Sequence, residues 1–452
     1  MPRFLIAAAH KSSGKTVVST GLARALADRG IAVQPFKKGP DYIDPMWLGL
    51  AARRACYNLD FNTMPPDEVA AFFAARQGEL DLIEANKGLF DGVAEDGSDS
   101  NAAMAKLLKT PVVLVVDTGG TTRGIAPLLM GYRAFDPAVD LRGVILNKTG
   151  GTRHEVKLRA AVATYTDLPV LGAIGRNDAL DIGERHLGLT TPVESDAVAT
   201  RIAGFAQAVS SGVDLDRIIN IAALAPKLPR PAAASASTPH PRVTIAIPRD
   251  RAFGFYYPDD LEAFASAGAD LVFFDALTDT ALPKADGLFI GGGFPETQAA
   301  ALAANNRLRA DIKARIENGL PTYAECGGLM YLSKTLHWHG ESHPMVGVIP
   351  GDAVMHARPK GRGYARYETT EPHLWEEPGH SVRAHEFHYA SIENLPEDSV
   401  FARRITRGAG VTGTDDGIVR YNMIAGFCHL RSTAQNPWVM RFVDFVRAKR
   451  VK

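Results

Sequence analysis

Cysteine is scarce in this chain: 452 residues hold three, Cys56, Cys326 and Cys428, too few and too scattered for a disulfide framework or a CxxC metal site. Any cysteine that matters here is therefore reactive rather than structural. An excess of charge is lacking as well. Lys plus Arg and Asp plus Glu stand at 50 each, which removes the electrostatic argument for nucleic acid or a membrane surface as partner. Local clusters such as Arg53-Arg54 are too short to restore it. Long apolar runs are missing too: Pro111 to Val116 falls far below the roughly 20 residues of a spanning helix. The first residues lack the basic and apolar regions and the cleavage site of a signal peptide. The expectation is a cytoplasmic protein.

What is present is a hydrophobic fraction of 46% with 22% charged residues, the balance of a globular protein with a sizeable core. A chain this long predicts two domains of about 200 residues each.

The stretch Phe4 to Thr16, FLIAAAHKSSGKT, reads as a buried strand, a Ser/Gly loop and the start of a helix over Val17 to Arg29. In that order, loop N–H groups and the positive helix end surround a polyphosphate. Lys15 reaches its outer oxygens and the Thr16 hydroxyl takes Mg2+. The motif G-x-x-x-x-G-K-[ST] is met except at its first position, where Ala9 stands, a small cost if that residue keeps negative φ. Strand Ala32 to Phe36 runs into the charged loop Lys37 to Pro45, whose lysines and aspartates suit phosphate and metal. Leu80 to Glu84 ends in a carboxylate where open α/β sheets bind ligands, making Glu84 a metal candidate. Pro111 to Asp117 and Arg142 to Asn147 repeat the device, and the Asn147 amide can read a base. Strands alternating with the helical patterns Thr122 to Arg133 and Thr152 to Thr164 predict a doubly wound parallel sheet. That domain ends near Leu224, and Ala225 to Arg242, rich in Pro, Ala and Ser, reads as a linker.

The second α/β unit, 243–452, opens with strand Val243 to Ile247. Gly287 to Ile290 delivers Gly291-Gly292-Gly293, whose bare backbone N–H groups can donate to an oxyanion. Leu320 to Ala324 enters Glu325-Cys326-Gly327-Gly328. A cysteine between strand and helix, followed by glycine, has the form of a nucleophile elbow, with the helix start favouring thiolate. Cys56 and Cys428 read as inert core. The thiol needs a base, and His385, His388 and His429 are candidates between which spacing does not choose.

These stretches together resemble the cobyrinic acid a,c-diamide synthase family: SSGKT at 12–16, FKKGPDYIDP at 36–45, NLD at 58–60, GLFDG at 88–92, ERHLGL at 184–189, GGGFPE at 291–296, YAECGGLMYL at 323–332 and HEFHY at 385–389. The resemblance implies a phosphate-loop synthetase domain similar to dethiobiotin synthetase, coupled to a class I glutamine amidotransferase domain. It implies that Cys326 attacks the glutamine amide and that His429 is the base. The oxyanion hole then comes from Gly327 and the Gly292-Gly293 turn. In the family's His-Leu-His segment the second histidine is here Arg431, and the resemblance supplies no triad acid. It places Ser12, Ser13, Gly14, Lys15, Thr16, Lys37 and Asn147 around ATP, with Thr16, Asp41 and Glu84 as Mg2+ ligands. The reaction implied is ATP activation of acetate carboxylates a and c of a tetrapyrrole polycarboxylate, displaced by glutamine-derived ammonia. A homodimer is compatible with this.

The chain departs from the family at Ala85-Asn86-Lys87, at Met46-Trp47 and at Cys56-Tyr57. These differences open the acceptor to sirohaem or sirohydrochlorin beside cobyrinate and hydrogenobyrinate. A nucleotide-switch ATPase of the partitioning type is the rival class. It needs a lysine where His10 stands, and Lys11 comes one place late.

Overall fold

The computed structural model describes residues 1–185, 188–192, 197–229 and 241–450, with the backbone alone at 184, 185, 188 and 189. Two compact units, 1–233 and 234–452, divide the chain. Of the ERHLGL stretch, 186–187 lie outside the described residues, as do 230–240 of the expected linker.

The first unit holds strands β1 (Arg3–Ala8), β2 (Val33–Lys38), β3 (Tyr57–Leu59), β4 (Leu80–Gly88), β5 (Val112–Asp117), β6 (Leu141–Thr149) and β7 (Val170–Gly175) in the order β3-β2-β4-β1-β5-β6-β7. Every pairing is parallel. Helices α1 (Lys15–Asp28), α2 (Ile43–Ala52), α3 (Pro66–Ala75), α4 (Asn101–Leu107), α5 (Ile125–Phe135), α6 (Thr152–Tyr165), α7 (Val198–Gly212) and α8 (Leu215–Ala223) complete it. The sheet is covered on both faces. Along β1, Phe4 and Ile6 enter one core while Leu5 and Ala7 enter another, which is why this strand is apolar throughout rather than alternating. β8 (Glu184–Arg185) pairs antiparallel with β9 (Gly188–Leu189).

Residues 225–229, read from sequence as linker, begin against this unit. The buried Arg3 guanidinium donates to Pro226 O at 2.7 Å, and Leu228 packs on the core.

The second unit contains β10 (Val243–Pro248), β11 (Phe253–Phe255), β12 (Ala269–Phe274), β13 (Gly287–Ile290), β14 (Gly292–Gly293) and β15 (Thr322–Glu325), with α9 (Pro258–Ser266), α10 (Ala299–Ala304), α11 (Asn306–Glu317) and α12 (Gly327–Leu332) between and after them. Then come β16 (Thr335–Trp338), β17 (Glu341–Pro344), β18 (Asp352–Met355), β19 (Gly361–Thr369), β20 (Ser381–His388), β21 (Ala390–Glu393), β22 (Val400–Arg407), β23 (Asp415–Arg420), β24 (Met423–Gly426) and helix α13 (Trp438–Lys449). Nine strands form one sheet in the order β12-β10-β13-β15-β24-β23-β22-β19-β20. It is parallel from β12 to β24 and antiparallel beyond. Both units are α/β as expected, but half of the second sheet departs from the parallel pattern. Among the described residues no helix is long and apolar enough to cross a membrane.

Close packing of α1 on α7 depends on one missing side chain. A Cβ on Gly21 would stand 2.6 Å from Phe205 O and 2.6 Å from Val209 Cγ2, whereas one on Gly204 of α7 meets nothing within 4 Å. Gly204→Ala should stabilise by about 0.5–1 kcal/mol through helix propensity. Gly21→Ala should instead cost about 1–3 kcal/mol through overpacking. Calorimetry should show melting temperatures moving in opposite directions.

Candidate active site

In each unit the chemistry-bearing residues leave the carboxyl edge of neighbouring parallel strands, where α/β sheets present their loops. In the first unit β1 delivers the loop before α1. Ser12 and Gly14 take positive φ, 64° and 80°; Ala9 does not, so its departure from glycine costs no strain. The loop is tied down from below. Asn147 Nδ2 donates to Ser13 O at 2.8 Å, Lys148 Nζ to Ser12 O at 2.8 Å, and the Ser13 hydroxyl to His10 O at 2.8 Å. A Cβ on Gly14 would stand 2.2 Å from Asn147 Nδ2. Asn147, expected to read a base, thus has its amide nitrogen committed to the loop backbone.

Beside the loop lies a buried charge cluster. Glu84 Oε1 accepts from the Thr16 hydroxyl at 3.3 Å and Lys37 Nζ at 2.8 Å, and lies 3.4 Å from Lys15 Nζ. Glu84 Oε2 is buried without a hydrogen-bond partner. Lys37, 1% exposed, gives its three protons to Glu84, to Asp44 Oδ2 at 2.5 Å and to Ala85 O at 3.2 Å. Its donor capacity is full, so it fixes carboxylates rather than facing outward. Asp44, not Asp41, is its close partner. Asp41 Oδ1 caps α2 by accepting from Ile43 N and Asp44 N, and its Oδ2 lies 3.8 Å from Lys37. Burial pushes the Lys15 ammonium below its ordinary pKa, with neighbouring Lys37 adding to the effect. Burial opposes ionisation of Asp44, yet Lys37 and Lys15 hold its carboxyl below the usual range.

The sequence reading ends the strand at Glu84. In the structure β4 continues to Gly88 because a bulge intervenes: Ile6 faces Glu84 and Ala8 faces Gly88, with Lys87 at φ 43°.

Among the described residues no group of three or more His, Cys, Asp or Glu is placed to cage a metal. One carboxylate with a vacant acceptor beside a hydroxyl does suit Mg2+, which is usually bound by one or two carboxylates plus substrate phosphates and water.

In the second unit β13, β15 and β24 are adjacent and parallel, so the loops after them converge. Cys326 follows β15 directly, at φ 48° and ψ −99°, a conformation rare for any side chain and the mark of a strained elbow. Its N–H bonds Gly426 O at 2.8 Å. The glycines allow the backbones to close in. A Cβ on Gly327 would stand 3.0 Å from Gly293 N, and one on Gly292 would stand 2.6 Å from His429 Cε1.

His429, 3% exposed, is the histidine at the elbow. Burial opposes its charged form, but the Cys326 sulfur and the Glu325 carboxylate prevail and raise it to about 10. His385 stacks on His429 with ring centroids 4.9 Å apart, and burial, with His429 and Arg431, pushes its pKa well down. His388 is engaged elsewhere: Nδ1 donates to Ala390 O at 2.8 Å and its ring stacks on Phe427. The residue not anticipated is Glu325. Its Oε2 lies 3.5 Å from His429 Nδ1. A carboxylate ending a four-residue strand that is otherwise buried and uncharged needs a partner, and this was the available signal. Cys56 and Cys428 are buried in cores and free.

Comparison with known proteins agrees with this division. Residues 244–437 match the CobB/CobQ-like glutamine amidotransferase domain, and residues 4–189 match the CobQ/CobB/MinD/ParA nucleotide-binding domain. The class is a glutamine amidotransferase carrying a nucleotide-binding unit. A cobyrinate a,c-diamide synthase of Magnetococcus marinus is 42% identical over 99% of this chain and 98% of its own. Enzymes of the same name are 39% identical in Methanosarcina acetivorans, over 96% and 93%, and 38% identical in Archaeoglobus fulgidus, over 100% and 98%. The chain belongs to the cobyrinate a,c-diamide synthase family, and it is an amidoligase.

Strain at the elbow has a measurable consequence. Cys326→Ala and Cys326→Gly both remove the thiol, but only glycine adopts this φ and ψ freely. The glycine variant should unfold at higher temperature, by about 1 kcal/mol once its larger unfolded-state entropy is counted. Equal melting temperatures would mean that the elbow stores no strain.

Proposed function

We propose that this chain is an ATP- and glutamine-dependent synthase that amidates the a and c acetates of cobyrinate or hydrogenobyrinate. The observation that carries the reading is the full-length likeness to relatives named cobyrinate a,c-diamide synthase, and both candidate sites lie in one chain. In this reading residues 1–224 form the ATP-binding amidoligase domain, 225–242 the linker and 243–452 the amidotransferase domain.

Cys326 Sγ attacks the side-chain carbonyl of glutamine. The developing oxyanion is met by N–H groups of Gly327 and of the Gly292-Gly293 turn. As the carbon–nitrogen bond breaks, imidazolium His429 gives its proton to the leaving ammonia, and a thioester remains. Water then attacks the thioester with His429 as base, releasing glutamate and restoring the thiol.

In the first domain the loop amides of Ser12, Ser13 and Gly14, with Lys15, hold the nucleotide phosphates. An acetate oxygen attacks the terminal phosphorus, ADP departs, and ammonia displaces phosphate from the acyl phosphate to give the carboxamide. Positioning and charge compensation are the protein's main contributions. Mg2+ would be held by Thr16 and Glu84, with the remaining oxygen of Asp41 near, and would offset charge on the transferring phosphoryl group. Lys37 supports this by fixing Glu84 and Asp44, and Asn147 by fixing the loop.

Three of the seven departures that opened other acceptors are buried, whereas Met46, Tyr57 and Asn86 are half-buried and Lys87 is exposed. Trp47 is fully buried with its Nε1 on Thr190 O at 3.0 Å, Cys56 is 2% exposed, and Ala85 is buried. These three buried side chains pack the core.

Offered hydrogenobyrinate, cobyrinate, sirohydrochlorin and sirohaem with Mg-ATP and glutamine, the protein should shift the first two by two amidations, about 1 Da lower each as OH becomes NH2. A shift confined to sirohaem or sirohydrochlorin, read by mass spectrometry, would overturn the acceptor and keep the chemistry. Cys326→Ser should abolish glutamine-supported turnover and spare ammonia-supported turnover; loss of both would contradict the nucleophile assignment. Because His429 keeps its proton up to about pH 10, glutaminase activity should hold through neutral pH and fall near pH 10 as the leaving group loses its acid. An alkaline limb near pH 7 would count against this.

A further inference from the structure

We propose that Glu325 is the positioning carboxylate of the Cys326–His429 pair, contributed by the residue before the nucleophile rather than by the segment after the histidine. The proposal rests on the glutaminase reading above.

Three features carry it. The first is contact: Glu325 is 2% exposed and its Oε2 lies 3.5 Å from His429 Nδ1. The second is fixation. Glu325 Oε1 accepts from Leu430 N at 2.9 Å and from the Tyr323 hydroxyl at 2.8 Å. Arg403 Nη2 donates to that hydroxyl at 3.1 Å, and Arg403 Nη1 to Asp416 Oδ2 at 3.2 Å. Asp416 Oδ1 in turn accepts from Phe427 N at 2.8 Å. A closed, buried chain of bonds thus runs from the residue before Cys326 back to the backbone on both sides of His429. The third is the fate of the alternative. Leu430 carries no charge, and Arg431 Nε donates to Asp259 Oδ2 at 3.0 Å, so the two residues after His429 bring no carboxylate to it.

The groups facing His429 are Cys326 and Glu325 from the end of β15, the stacked His385 from β20, and Arg431 on its own segment. Of these only Glu325 and a Cys326 thiolate are negative. A carboxylate on one ring nitrogen orients the imidazole, fixes its tautomer and stabilises the imidazolium formed when Cys326 gives up its proton.

The test compares Glu325→Gln, Glu325→Asp and Cys326→Ser in the full chain, with ammonia-supported amidation as the control for folding. Glu325→Gln should lower glutamine-supported kcat by about 100-fold or more, leave the KM for glutamine within about threefold, and move the alkaline limb to lower pH. Glu325→Asp should recover part of both. Glutamine-supported kcat within about threefold of the parent in Glu325→Gln, with the limb unmoved, would overturn the proposal. Retention of glutamine turnover in Cys326→Ser would instead sink the glutaminase reading itself. If Glu325→Gln loses ammonia-supported activity too, Tyr323→Phe decides. It keeps the carboxylate but removes one bond to it, and should lower glutamine turnover several-fold and shift the limb downward. No change in either would overturn the proposal.

Discussion

A strand covered on both faces can meet a ligand only at its ends. This constraint governs both units. Phe4 and Ile6 go to one core, Leu5 and Ala7 to the other, and what remains for chemistry is the turn from Ala9 to Gly14. In the second unit β13, β15 and β24 run parallel side by side, and the glycine turn, the cysteine and the histidine are the residues each strand releases as it ends. Hydrogen-bond register between neighbouring strands therefore sets the distances within the site, and helices such as α1 and α12 fix the direction in which each loop leaves.

Placing charges at such edges means burying them, and the chain offsets this by pairing them. Lys37 is enclosed by two carboxylates and a carbonyl. Arg403 is likewise enclosed by Asp416 and the Tyr323 hydroxyl. A buried charge stripped of one partner costs several kcal/mol, so each cluster is rigid because every member needs the others. Glu84 Oε2 is buried without a hydrogen-bond partner beside the saturated Lys37, as other buried polar atoms are, Arg403 Nε among them. That oxygen lies on the carboxylate that, with Thr16, would hold Mg2+ in the proposed chemistry.

How much of this was legible in the sequence depended on what kind of interaction fixed each part. The parallel halves could be read because strands buried on both faces are continuous apolar runs ending in distinctive loops: Gly287–Ile290 falls where the pattern puts it. The antiparallel strands could not. Five of the nine residues of β19, GRGYARYET, are Gly, Arg or Glu, and β22 carries four arginine or threonine residues in eight, so neither stands out from a loop. Lys15, Thr16 and Cys326 announce themselves by strand, loop and helix order. His429 did not follow from spacing and needed the family resemblance. Glu325 was missed because its partner is chosen by tertiary register: it pairs with Gly426 across β15 and β24, which brings it to His429 about a hundred residues away. Asp44 was read among the loop's aspartates, but not as the close partner of Lys37. Asn147 was read as a base reader, but its amide nitrogen is committed to Ser13 O through space that a Cβ on Gly14 would fill.

The burial of Trp47 and Cys56 also bears on how specificity evolves in such enzymes. Differences at these positions are exchanges of packing against Phe205 and the neighbouring core. A designer wishing to redirect the chain to another macrocycle would gain little by grafting them. The useful handles are side chains that reach solvent at the sheet edge, such as Lys87 on its bulge.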